Sequence, residues 1–292
     1  MVSYDPKKWF IFVFRFHEAD TFRKLLWLIA AISAYAWLIA FLEASVFRLA
    51  ETSHLKNISI LHNLLGFVIS LLLVFRTNTA YDRWWEGRKL WGALVNNSRN
   101  LAMKLAAILP EEDEENRRFF RDTIPAYAVA LRDHLRNDTI RLELFDNNPE
   151  LAQQIDHQKH VPNQLAGLML AKIMEMHRAG VISGDQLIIL NAELQSFTDI
   201  CGACERIKNT PIPFSYTVFM KKFIFSYVIT LPLGYVFSMG YLVVPVTAFV
   251  FYVVASLELI AEEIEDPFGK DSNDLPTANI AHKIQVHVHE LI

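Results

Sequence analysis

The chain has 292 residues, a formal net charge of −4 at pH 7, a hydrophobic fraction of 52% and only two cysteines. The acidic balance argues against a nucleic-acid-binding surface, and two cysteines cannot build a disulfide framework. A mean hydropathy of +0.21 does not by itself separate a large soluble core from a membrane protein, but the distribution of the apolar residues does.

The chain opens on an aromatic, basic leader, KKWFIFVFRF. It has no convincing cleavage site, so residues 1–21 read as a cytoplasmic or interfacial segment, with Trp9–Phe16 as an interfacial helix or an apolar patch packed on protein. An uncharged run, Leu25–Leu42, follows, and a second covers Ile58–Phe75. A bilayer core about 30 Å thick needs about 20 helical residues, so these runs predict transmembrane helices over 22–44 and 57–80. The third uncharged run, Phe223–Leu257, would be about 52 Å long as one helix at 1.5 Å per residue. Pro232, Gly234, Gly240 and Pro245 interrupt it, which predicts two spans joined by a turn, a hairpin over 213–264. Four spans put both termini on one side. Lys and Arg cluster before the first run, after the second and before the third, whereas the 43–57 loop holds only Arg48 and Lys56. The basic side faces the cytoplasm, so both termini and the long middle segment belong there.

Residues 81–212 read as a cytoplasmic helical region. From Trp84 a repeat of seven aligns Trp84, Trp91, Ser98 and Leu105 in one column and Gly87, Leu94, Leu101 and Ile108 in the next. That seam predicts a long helix continuing the second span and packing on others. Pro110 ends it. The acidic EEDEE that follows caps the next helix, Arg117–Leu135, because carboxylates favour a helix N-terminus. Pro162–Ala179 reads as helical, and Ser183 with Gln186 forms a capping-box start for Leu187–Asn209. Residues 265–292 form a C-terminal cytoplasmic tail. The stretch RTNTAYDRWWEGRKLWG, residues 76–92, stands where the second run leaves the membrane. Its Trp84, Trp85 and Trp91 suit the interface, and Asp82, Arg83, Glu86 and Lys89 can pair along or between helices.

Little in the chain points to catalysis. Cys201-Gly-Ala-Cys204 has redox spacing, but no strand precedes it, and small residues for close helix packing explain it better. His282, His287 and His289 lie in the terminal segment, where solvated histidines are the commoner reading than a metal site. No phosphate-binding Gly loop, nucleophile elbow or His-Glu-x-x-His helix occurs. The reading is therefore a non-enzyme. In the second span Phe67, Leu71 and Phe75 recur every four residues and share one helical face, with Asn63 and Asn78 extending it as polar ends. One copy of such a stripe serves packing or lipid contact. Several copies around an axis make an apolar collar that gates by excluding water.

At RTNTAYDRWWEGRKLWG, RIKNTPIPFSYT and EDPFGKDSNDLP the sequence resembles the bestrophin family in its bacterial form, over nearly the whole chain. The resemblance implies an all-α polytopic membrane protein with four transmembrane helices per chain and a helical cytoplasmic region. It implies a homopentamer around one axial pore. It implies that the pore conducts small monovalent ions passively, with cations favoured over chloride as in bacterial homologues. It places Phe67, Leu71 and Phe75 on the hydrophobic neck. It puts a second, cytoplasmic aperture at Asp185, or at Leu187 or Ile188 if gaps intervene. The family's calcium clasp corresponds to Asp271 and Asp274, but Lys270, Ser272 and Asn273 dilute its charge. Calcium takes six to eight oxygen ligands, so a solvated turn is the stronger expectation and no cofactor is expected.

The expected protein is a multi-pass component of the inner (plasma) membrane. Its partners are the lipid bilayer, its own copies and monovalent ions, with no nucleic acid. The alternatives are an anion (chloride) channel of the eukaryotic type, or a secondary transporter or non-conducting membrane scaffold. A transporter would show a buried ionisable pair or broken helices near the bilayer midplane.

Overall fold

The computed structural model describes residues 21–47, 58–138 and 154–292. The leader Trp9–Phe16 and most of the 43–57 loop lie outside the described residues. Every regular element among the described residues is helical: α1 (Thr21–Phe41), α2 (Ile58–Ile108), α3 (Glu114–Arg136), α4 (Val161–Arg178), α5 (Gly184–Asn209), α6 (Phe214–Met239), α7 (Val243–Glu265) and α8 (Thr277–Leu291). The chain divides into two compact units. One comprises the described residues up to Arg83 with Pro211–Glu265, and the other the described residues of Trp84–Thr210 with Asp266–Ile292.

The first, apolar unit contains α1, the N-terminal part of α2, α6 and α7. Among the described residues, three helical stretches are long and apolar enough to cross a membrane: Thr21–Ser45, Ile58–Ile108 and Phe214–Glu265. The last is not one rod. A 3₁₀ turn at Gly240–Leu242 separates α6 from α7, which pack against each other. Gly240 stands there at φ +54°, a left-handed conformation that is costly for residues bearing a Cβ. Pro232 does not break α6; it sits inside the helix, buried. Leu25, Ile32, Ile69, Leu73, Met220, Val228 and Phe251 form the main apolar cluster. Thr21 Oγ1 donates to Ser256 Oγ at 2.8 Å, tying the start of α1 to α7.

The second, amphipathic unit has a conventional core. On the seam of α2, Trp91, Leu94, Leu101 and Leu105 are fully buried against α3, α4 and α5 residues such as Phe120, Tyr127, Leu165 and Phe197. Asp113 is the N-cap of α3, its carboxylate accepting from the Asn116 backbone N–H. The capping box of α5 is present, with Ser183 Oγ accepting from Gln186 N and the Gln186 side chain accepting from Ser183 N. Cys201 and Cys204 are buried, free and packed in this core. Burial, with the Glu205 charge nearby, pushes the Cys201 thiol up to about 12. Burial also raises Cys204, whose neighbours Cys201, Glu205 and Glu86 add to the shift. Neither is a thiolate at neutral pH, which fits packing and not redox chemistry.

Two expectations are corrected. Trp91 is not an interfacial indole: it has no exposed surface and lies at the centre of the amphipathic core. The terminal segment is not simply a solvated tail, because α8 buries Ile280, Ala281, Ile284 and Val288 in that same core and packs on α3. His287 Nδ1 lies 3.1 Å from Arg99 Nη2, whereas His282 and His289 are exposed.

Candidate functional site

Helix α2 has two contrasting faces within the apolar unit. His62, Ile69, Leu73, Arg76 and Ala80 are buried, at the spacing that keeps one side of a helix turned to its neighbours. Phe67, Leu71 and Phe75 lie on the other side, 69%, 45% and 57% exposed within the single chain. Leu64, Val68 and Val74 are exposed beside them, and Asn63 and Asn78 lie exposed at the two ends. The three residues share one face, and no charged side chain interrupts it from Ile58 to Phe75. An apolar surface of this extent is not left to water in a stable protein. Lipid or other copies of the chain must cover it.

The two buried polar side chains of this stretch, His62 and Arg76, are on the opposite side, and Asn63 is tied to α6. His62 Nε2 lies 2.8 Å from the Tyr227 carbonyl and 3.3 Å from Thr230 Oγ1, both on α6. The Tyr235 hydroxyl donates to Asn63 Oδ1 at 3.0 Å. Arg76, the first charge after the apolar run, has no exposed side-chain surface. Its Nη2 is 2.7 Å from Glu265 Oε2 and its Nε 3.5 Å from Glu258 Oε1, both on α7. Glu265 also accepts from the Ile212 backbone N–H at 2.6 Å, and its carbonyl accepts from Arg83 Nε at 3.0 Å. A charge buried in this way has to be paired. The pairing fixes the rotation of α2, so that Arg76 turns inward and Phe75 and Asn78 turn outward.

From Trp84 onward the stretch belongs to the amphipathic unit. Trp84 Nε1 donates to the Asn273 carbonyl at 3.0 Å, and Glu86 pairs with Arg206 at 2.7 Å. Asp82 and Lys89 are exposed. Dense Arg, Asp, Glu and Trp thus do three jobs: burying a charge, packing a core and tying the 266–276 loop.

The three aperture candidates differ in placement. Asp185 lies exposed in the first turn of α5, and Ile188 is 68% exposed. Leu187 is partly buried and packs on the amphipathic core, so it does not share the outward direction of the other two.

Asp271 and Asp274 do come together, but as parts of a turn. Asp274 is 2% exposed, and its Oδ2 accepts from the Asp271 backbone N–H at 2.6 Å. A Cβ on Gly269 would stand 2.7 Å from the same oxygen, so glycine there permits the close approach. The adjoining pocket, about 190 Å³, is also lined by Arg136 and Lys270, and Lys270 pairs with Asp138 at 2.7 Å. Lys270, with its hydrogen bond and charge, holds the Asp138 carboxyl below the usual carboxylate range. One carboxylate committed to the backbone and two cations beside the pocket make a poor fit to a calcium ion, which takes six to eight oxygens.

One cluster of functional groups was not anticipated: His134, His160 and Glu205 meet in the amphipathic unit.

The family profile for the Bacterial/Fungal Bestrophin protein matches residues 1–290. The voltage-dependent anion channel-forming protein of Nostoc sp. is 36% identical over 230 residues, 77% of this chain and 75% of that protein. The protein of that name in Synechocystis sp. is 34% identical over 232 residues, 78% of this chain and 75% of its own. Among solved structures, a point-mutated bacterial bestrophin homologue from Klebsiella pneumoniae superposes with a TM-score of 0.82 at 26% identity, covering 92% of this chain and 98% of that one.

Proposed function

Because the chain belongs to the family of bacterial and fungal bestrophins, we propose that it is an ion channel of the bacterial inner membrane, passively conducting small monovalent ions. In this reading four spans, α1, the apolar part of α2, α6 and α7, cross the bilayer in each chain, with both termini and residues 81–212 cytoplasmic. Five chains surround one axis lined by α2. Phe67, Leu71 and Phe75 then form successive apolar rings, a neck through which ions pass only when it is wetted.

The observation that carries this is the outward, charge-free stripe of α2, backed by the buried Arg76–Glu258–Glu265 cluster. A helix meant only to pack within the chain would have no reason to expose three large apolar side chains in register. The buried ion pairs sit where the apolar run of α2 ends and not midway along it, which favours a channel over a transporter. Asp185, exposed at the start of α5, gives a ring of five carboxylates in the pentamer and favours cations. One observation supports the opposite ion sign: the Nostoc and Synechocystis relatives carry anion-channel names. Asp271 and Asp274 serve as a structural turn, and conduction needs no calcium.

The test is cysteine accessibility. Phe67→Cys and Phe75→Cys should be blocked by a small water-soluble thiol reagent applied during recording, whereas Ile69→Cys should not. The native Cys201 and Cys204 are buried and protonated, so they stay silent. Equal block at Phe67 and Ile69, or block at neither Phe67 nor Phe75, would refute the assignment.

A further inference from the structure

We propose that His134, His160 and Glu205 form a binding site for one borderline divalent transition-metal ion, Zn²⁺ or a close analogue, in the amphipathic unit. The residues come from three elements: the last turn of α3, the N-cap of α4 and the body of α5. His134 Nε2 lies 2.7 Å and His160 Nε2 2.6 Å from the same oxygen, Glu205 Oε1. The imidazole centroids are 4.3 Å apart, and the three ligand atoms all fall within 4.8 Å of one another. Two imidazoles and one carboxylate are a set that zinc and its neighbours accept, whereas calcium and magnesium ask for oxygens. The side chains are 31%, 30% and 29% exposed. Each is therefore held by packing yet reachable from water, which leaves room for a fourth, solvent ligand.

The charge also suits a cation. Glu205 offers a carboxylate oxygen on which both imidazoles converge. Without metal, the two Nε2–H groups converge on one carboxylate oxygen, occupying the place a dication would take. His160 Nδ1 accepts the Asn163 backbone N–H at 3.1 Å, which orients the ring and puts the proton on Nε2. For Nε2 to coordinate, that proton moves to Nδ1 and the cap bond is given up. The Nε2–H bond breaks, an Nδ1–H bond forms by exchange with water, and the freed Nε2 and Glu205 Oε1 bond the metal ion; no oxidant is required.

The experiment uses the full chain in detergent, stripped with a chelator and titrated with Co²⁺. The expected result is a saturable visible d–d band at one ion per chain, without a thiolate charge-transfer band, and competed by Zn²⁺. His134→Gln and Glu205→Gln should each weaken binding by more than about 10-fold, while His282→Gln with His289→Gln leaves it unchanged. No saturable band, a thiolate band, or a band that survives both first-named variants would overturn the proposal. If those variants do not fold, histidine modification by diethyl pyrocarbonate decides on the unaltered protein. Zn²⁺ should protect His134 and His160 but not the exposed His157 and His289. Equal modification of His134 and His160 with and without Zn²⁺ would overturn it.

Discussion

Truncating the stripe of α2 separates a lining role from a packing role, because its two faces carry opposite costs. A fully buried Leu or Phe loses about 2–5 kcal/mol on replacement by Ala. Phe67, Leu71 and Phe75 are 69%, 45% and 57% exposed in the chain, so scaling by the buried fraction leaves about 1–2 kcal/mol each. Ile69 and Leu73, at 2% and 4% exposure, should lose the full about 2–5 kcal/mol each. The triple change Phe67→Ala, Leu71→Ala and Phe75→Ala removes bulk and adds no charge. A wider apolar collar is easier to wet. It should therefore keep the assembly, with a smaller loss of thermal stability per residue than truncation of the buried face, and give larger or more frequent openings with unchanged ion sign. Ile69→Ala with Leu73→Ala should instead lower thermal stability strongly and leave the conductance of surviving protein unaltered. Size-exclusion chromatography and thermal scanning in one detergent, followed by bilayer recording, read both. An intact assembly with unchanged current in the triple variant would refute the reasoning, as would a triple variant that falls apart while the Ile69/Leu73 variant does not.

Arg76→Met should destabilise by about 3–5 kcal/mol, because it strands two carboxylates against α2; thermal scanning checks it, and Arg76→Met with Glu265→Gln should recover part of the loss. Ser183→Ala removes the cap of α5 and should lower stability by about 1 kcal/mol, seen as a modest drop in melting temperature. Asp185→Asn should move the reversal potential under a salt gradient toward zero if the ring of acids selects cations; an unmoved value would exclude Asp185 from the aperture. Asp271→Ala should leave currents as calcium-insensitive as the parent, and micromolar activation of the parent that the variant loses would contradict the structural reading of that turn. Cysteines placed at Ser53 and Ser272 should label oppositely with an impermeant reagent in intact cells, and labelling of both from outside would overturn the four-span topology.

What could be read from the residues, and what could not, divides along the range of the interactions. Apolar runs, the Pro and Gly interruption after Pro232, the heptad seam from Trp84 and the Ser183–Gln186 capping box are local patterns, and the helices follow them. The stripe at Phe67, Leu71 and Phe75 is local too, which is why its shared face was legible. Helix α8 carries a local signal too: Ile280, Ile284 and Val288 repeat every four residues, with polar His282, His287 and His289 between and beyond them. Trp91 shows the limit of reasoning from residue type, since an indole after an apolar run suits a membrane interface and a protein core equally. The Arg76–Glu258–Glu265 cluster and the His134–His160–Glu205 cluster were invisible for a different reason. Their members are far apart in sequence, with 71 residues from His134 to Glu205 and 45 from His160 to Glu205. Only tertiary packing brings them within hydrogen-bonding distance. His160 did carry a hint, as a polar residue directly before Val161-Pro162, where a helix N-cap belongs.

Single-channel recording of the purified protein in a planar bilayer under a potassium chloride gradient tests the central claim most directly. Discrete current steps, reversing toward the potassium equilibrium potential, are the predicted result. Ion flux without resolvable steps at any voltage would contradict a channel, and steps reversing at the chloride potential would contradict cation selectivity and favour the anion reading.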